Sequence, residues 1–163
     1  MDTSKLLSLL EAHRWKTNVQ RANITGVDEE RQKRWKRGKA GKACLSYTFG
    51  LVNKRCFKEP STSSISTKQP EIYEALKDLA KQIDPDFKYT SICVNKNVQA
   101  LPHIDKNNEG HSMIVGLGNY TGGELVVEYP EGDKVLNCKD TPCYFDGRVQ
   151  HYTKPFGGGT GIL

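Results

Sequence analysis

The sequence predicts a mainly β protein with flanking helices, an α+β arrangement, and three observations carry that expectation. From Tyr89 onward the chain breaks into short β-branched and aromatic runs separated by Gly, Pro, Asn and Asp turns, the spacing of a sandwich or barrel. One strongly periodic helix stands directly before this region, and the N-terminal third carries short helical patterns with most of the positive charge. With 163 residues, 36% hydrophobic and 26% charged, the chain has the size and composition of one folded domain and excludes a wholly disordered or fibrous class. We read 1–163 as a single domain, with 1–88 as a helical, basic support and 89–163 as the β core.

The first element is a short amphipathic helix in "SKLLSLLEAH", built on Leu6, Leu7, Leu9 and Leu10 with Thr3 or Ser4 as cap. Its apolar run is too short for a membrane span or a signal segment. Next, "GVDEERQKRWKRGKAGKA" places Asp28, Glu29 and Glu30 ahead of Arg31, Lys33, Arg34, Lys36 and Arg37, which suits a helix dipole. The same cations, with Trp15 and Trp35 nearby in sequence, also suit phosphates and stacked bases. Residues 1–60 hold 14 Lys/Arg against 6 Asp/Glu, a balance of +8, whereas 61–163 hold 10 against 13, a balance of −3. Such asymmetry points toward a polyanionic partner, with Lys33, Arg34, Lys36 and Arg37 the candidate nucleic-acid contacts.

"ACLSYTFGLVN" (43–53) reads as a strand and "KEPSTSSISTKQ" (58–69) as a polar linker or loop. Pro70 then opens the clearest helix, with Ile72, Leu76, Leu79 and Ile83 on one face and Pro85 beyond its end; it is expected to pack on a sheet. The strands that follow are "YTSICVNKNV", the 102–105 segment, "SMIVGLGNY", "ELVVEY", "KVLNC", "PCYFDG" and "RVQHYT", with "TGG" and "PEGD" as turns. Along the first of these, Ser91, Cys93 and Asn95 alternate, and one face should look inward. Five cysteines without a C-x-x-C pair suggest neither a disulfide framework nor a zinc ribbon, so the expected home is reducing and intracellular, cytoplasmic or nuclear.

Chemistry concentrates at "ALPHIDKNN". In extended backbone His103 and Asp105 share one face, and His151, at the end of "FDGRVQH", can meet them in a folded sheet. Two imidazoles and a carboxylate on one side of a metal leave adjacent coordination positions open, the facial arrangement of non-haem Fe(II) oxygenases. His111, in "NNEGHSM", reads as an exposed loop residue, with substrate contact or replacement of His151 as alternatives. Asn107, Asn108, Asp146 and Gly147 read as turn formers, with substrate orientation or support of His151 as alternatives, and Tyr120, Gly122 and Gly123 as hairpin architecture.

Together His103-Ile104-Asp105, "YTGGELVV" (120–127) and "FDGRVQHYTKPF" (145–156) resemble the Fe(II)/2-oxoglutarate-dependent dioxygenase superfamily over residues 89–160. The resemblance implies a double-stranded β-helix (jelly-roll or cupin-like) core with N-terminal supporting helices. It also implies His103, Asp105 and His151 as ligands of Fe(II), and hydroxylation driven by O2 and oxidative decarboxylation of 2-oxoglutarate. In one respect this chain departs from the pattern. The superfamily places an arginine about ten residues past the second histidine for the distal carboxylate of 2-oxoglutarate, and here Gly157-Gly158-Gly159-Thr160-Gly161-Ile162-Leu163 offers no cation. Either Arg148 or Lys154 substitutes, the cosubstrate differs, or the chain is truncated; strand parity points both side chains away from His151, which favours truncation or altered closure. The "H-x-T-x-P-F" ending is similar to that of oxygenases acting on pyrimidines in nucleic acids and, more loosely, of prolyl hydroxylases. The leading expectation is therefore a base hydroxylase, with a protein hydroxylase, a catalytically impaired nucleic-acid-binding β-helix and a cupin-like metal or small-molecule binder as alternatives.

Overall fold

The structure, a computed structural model, describes residues 1–34, 39–54 and 58–162. Trp35, Lys36, Arg37 and Cys56 lie outside the described residues. In chain order the helices are α1 (Ser4–Ala12), α2 (Ala22–Thr25), α3 (Glu29–Arg34), α4 (Ser64–Lys68) and α5 (Pro70–Ile83). The first strands are β1 (Thr17–Asn18), β2 (Cys44–Val52), β3 (Ser61–Thr62) and β4 (Ser91–Lys96). Then follow β5 (Ser112–Ile114), β6 (Leu117–Gly118), β7 (Thr121–Gly122), β8 (Leu125–Tyr129) and β9 (Gly132–Leu136). The last are β10 (Cys143–Phe145), β11 (His151–Thr153), β12 (Phe156–Gly157) and β13 (Gly161–Ile162). The fold is mainly β with helices, its ladders are antiparallel, and the chain divides into two compact units, Met1–Trp15 with Ser46–Val94, and Lys16–Leu45 with Asn95–Leu163.

In the first unit α5 buries the face its periodicity predicts, Ile72, Leu76 and Leu79 together with Ala75 and Ala80. Pro70 occupies its first turn, where a missing N–H costs nothing. It packs on β2 as expected, Tyr73 lying against Phe49 at 6.0 Å between ring centroids, and α1 adds Leu6 and Leu10. Thr3 stands at the N-cap of α1 as expected but makes no side-chain cap bond, and the Asp2 carboxylate accepts the Ser4 N–H at 3.0 Å instead. Trp15 is not a free stacking platform: its ring stacks on Tyr47 at 5.0 Å and its Nε1–H donates to Leu10 O. Residues 58–69 are more ordered than a linker, because β3 pairs with the end of β2 and α4 follows. The reason is buried serine chemistry that a polarity count misreads. Ser66 Oγ accepts the Gly50 N–H at 2.8 Å and bonds Ser63 Oγ at 2.7 Å, so the polar atoms are satisfied inside the fold.

The second unit carries the β-rich half. β8 lies between β9 and β11, β10 pairs with β5, β12 with β7, and β13 runs between the end of β4 and β6. Among the described residues the strands do not close into a barrel. β8 and β9 form the hairpin expected from "PEGD", with Tyr129 opposite Gly132. Two expected features are subdivided. "SMIVGLGNY" forms β5 and β6 rather than one strand, because Gly116 leaves the first ladder and bridges Lys139, and "TGG" is both a turn and β7. Leu125, Val127, Cys138 and Phe145 form the core, with Ile114, Leu136 and Val149 packed against it. Among the described residues no cysteine is in a disulfide, and burial pushes the Cys138 thiol pKa far up, which leaves it a packing group rather than a nucleophile.

Candidate metal centre

Residues 101–105 are extended for a local reason: Pro102 lacks an N–H and biases Leu101 away from helix. The segment lies along the start of β11, with His103 and His151 each donating its N–H to the other's carbonyl at 3.0 Å. Continuing that register would set residue 105 opposite 149. Instead the chain turns at 146–149, Val149 N–H bonding Asp146 O, and Asp105 N–H reaches Gly147 O at 2.9 Å. His151 in turn stands opposite Val127 of β8. Through these pairings the site rests on a ladder that runs from the 103 segment through β11 and β8 to β9.

His103, Asp105 and His151 converge, each offering one ligand atom within 4.8 Å of the others. His103 Nε2 lies 3.8 Å from one Asp105 carboxylate oxygen and His151 Nε2 lies 3.6 Å from the other. Both rings are fixed from behind: His103 Nδ1 bonds Leu101 O and His151 Nδ1 bonds Val149 O, each at 2.7 Å. A carbonyl only accepts, so both Nδ1 atoms carry a proton and each ring turns its Nε2 toward the carboxylate. Burial is the largest cause holding the His103 pKa below the ordinary histidine value, with the Leu101 carbonyl contact and Asp105 opposing it. The neutral, metal-binding form is thereby favoured.

This donor set fits a divalent metal. Lone pairs and a carboxylate aimed at one another repel unless a cation lies between them, and ligand atoms about 2.1 Å from one ion are at most about 4.2 Å apart, so the observed separations need little contraction. Imidazole and carboxylate ligands suit several divalent metals, and the geometry does not select among them. The histidine side chains are only 8% and 5% exposed, whereas that of Asp105 is 35% exposed; the approach to the cluster is on the aspartate side. Phe145 closes the other side, its ring 4.9 Å from that of His151 at 66°.

Two supporting residues carry more than the sequence disclosed. Gly147 has no space for a side chain: a Cβ there would come within 2.8 Å of Asn108 Nδ2, 3.0 Å of Ser112 Oγ and 3.4 Å of an Asp105 carboxylate oxygen. Its role is clearance for the ligand as well as a turn. Thr153, two residues past His151 and buried, accepts the Ala100 N–H on Oγ1 at 2.6 Å and so fixes the chain entering the H-x-D segment. Its signals in the sequence were parity with His151 and its place in the H-x-T-x-P-F ending. Gly147→Ala is expected to weaken divalent-metal binding about 10-fold or more, as loss of ligand support does, with little change in melting temperature because the nearest atom is a side-chain end. Calorimetric titration of the two proteins checks it.

Among the weaker candidates, Arg148 is engaged by its neighbour, Nε and Nη2 each 2.9 Å from Asp146, and this bond holds the Asp146 carboxyl down at about 2. Lys154 follows β11, its N–H bonded to Glu124 O. At Gly161, about ten residues past His151, a side chain would start 3.2 Å from the Tyr120 ring. Arg21 is a cation the sequence did not single out; its charge contributes to lowering the His103 pKa. His111 is exposed, as are Lys33 and Arg34 at the end of α3. Ser91 and Cys93 are exposed while Val94 is buried, so Val94 lies on the inward face of β4. No helix among the described residues is long and apolar enough to cross a membrane. Comparison with protein-family models and with curated proteins returned no match.

Proposed function

We propose that this chain is an Fe(II)- and 2-oxoglutarate-dependent dioxygenase that hydroxylates a base in nucleic acid, with His103, Asp105 and His151 as the metal ligands. The observation that carries the reading is their convergence, the two Nε2 atoms turned inward by backbone carbonyls and the carboxylate between them. The pairing order of the 103 segment, β11, β8 and β9 supports a double-stranded β-helix core, since such a core interleaves strands distant in sequence. Bound Fe(II) would supply the redox chemistry by which O2 converts 2-oxoglutarate and substrate to succinate, CO2 and hydroxylated product.

The chain's own residues have plainer tasks. Leu101 O and Val149 O hold the imidazoles by their Nδ1 protons and keep Nε2 available. Phe145 and the buried ring faces exclude water from one side, and the half-exposed Asp105 marks the side from which substrate enters. Arg148 is committed to Asp146. The basic N-terminal third, with its balance of +8 over residues 1–60, supports a polyanionic substrate.

Anaerobic Fe(II) titration with and without 2-oxoglutarate is the test. A visible charge-transfer band that requires both, followed in air by succinate and by one added oxygen atom on an oligonucleotide, is the expected result. Absence of the band removes the dioxygenase reading. An oxygen found on a peptide and never on an oligonucleotide transfers the activity to a protein hydroxylase.

A further inference from the structure

Apart from the metal centre, the second unit contains an open cleft of about 370 Å³. Thr25 and Lys42 stand on one wall and Lys96, Asn97, Gln99 and Leu101 on the other. Both walls are fixed by backbone bonds. Lys42 N–H bonds Gly26 O at 3.0 Å and Thr25 Oγ1 donates to Lys42 O at 3.1 Å. Across the cleft Asn97, in the left-handed region at φ 53°, donates its N–H to Gly161 O and accepts the Gly161 N–H on Oδ1, both at 2.9 Å. Leu101 N–H bonds Ile24 O at 2.8 Å and ties the walls together at one end.

We propose that this cleft binds the phosphodiester backbone of single-stranded nucleic acid, with Lys42 and Lys96 meeting successive phosphates. Both charged side chains lining it are lysines and none is acidic, so the local field favours an anion. Gln99 offers an amide that both donates and accepts, as base edges require, and Leu101, 43% exposed, offers an apolar surface to a base. The volume lies in the range of roughly 300–1,000 Å³ for small-ligand clefts, enough for one nucleotide unit. Position adds a functional reason. Leu101 lines the cleft and its carbonyl holds the His103 ring, so a strand lying there passes beside the segment that delivers the first metal ligand. The basic run of the sequence thus acquires a specific end point at Lys42, twelve residues or fewer beyond the exposed cations of α3.

This inference rests on the proposed function for the identity of the polyanion, and its test is read without metal so that the two can fail separately. Fluorescence anisotropy of a fluorescein-labelled single-stranded DNA of mixed sequence, in chelator, is compared for the unaltered protein, Lys42→Gln with Lys96→Gln, and Lys42→Arg with Lys96→Arg. The glutamine pair is expected to weaken binding about 10-fold and to reduce the salt slope by about 1.4, at about 0.7 per phosphate contact on single strands. The arginine pair is expected to retain both, and circular dichroism establishes that each variant is folded. Unchanged affinity and slope in the glutamine pair, no binding by the unaltered protein at low salt, or equal binding of a labelled poly-glutamate peptide would each overturn the proposal. Loss of iron binding with intact anisotropy would instead count against the metal centre alone.

Discussion

Asp105→Ala is expected to reduce divalent-metal affinity by at least about 100-fold while leaving the fold in place. The carboxylate is the anionic member of the cluster and the group between the two Nε2 atoms; without it two neutral donors remain. Removal of support around a ligand already costs 10- to 100-fold, and removal of the ligand itself costs more. Stability is spared because the side chain is 35% exposed and the bond from the residue's backbone N–H to Gly147 O survives in alanine. The stability change should stay within about 1 kcal/mol, as for substitutions that leave the core intact. Anaerobic Fe(II) titration and a thermal melt of the metal-free protein give the two numbers. Retained tight binding would remove Asp105 from the ligand set, and a collapsed melting temperature would show that the residue supports packing instead.

Phe145→Ala should have the opposite balance, a large loss of stability with a secondary loss of metal affinity. Phe145 is 5% exposed in the cluster with Leu125, Val127 and Cys138, and truncating such a ring costs about 3–5 kcal/mol through lost burial and the cavity left behind. Its edge-to-face contact with His151 also holds the second imidazole in the pose that its Nδ1 bond selects, so any folded fraction should bind metal less tightly. Urea unfolding reads the first effect as a lower midpoint at unchanged slope. Phe145→Leu separates the two, since it refills most of the volume without the ring contact. Restored stability with metal affinity still reduced is the expected pattern, and full recovery of both would make Phe145 a filler only.

Much of this was legible because local rules agree with one another. The period of α5, with its opening proline, and the β-branched runs bounded by turn residues at β8 and β9 each specify one element with little help from the rest of the chain. Residues 58–69 were misread because serine is normally exposed, and only the partners of the buried Ser63 and Ser66 fix this segment in the fold. The separation of β5 from β6 depends on a bridge from Gly116 to Lys139, more than twenty residues away. No window of sequence contains both ends of such a pairing.

The site divides along the same line. The sequence alone determined that His103 and Asp105 share a face, since two residues of extended chain after a proline leave little choice, and it marked His151 as a further candidate ligand. Tertiary structure decided the rest: that β11 lies beside the 103 segment, that the turn at 146–149 lets Gly147 make room for the carboxylate, and that two backbone carbonyls orient the rings. Face and period are properties of a strand by itself, whereas ring orientation and clearance exist only once a second strand has arrived.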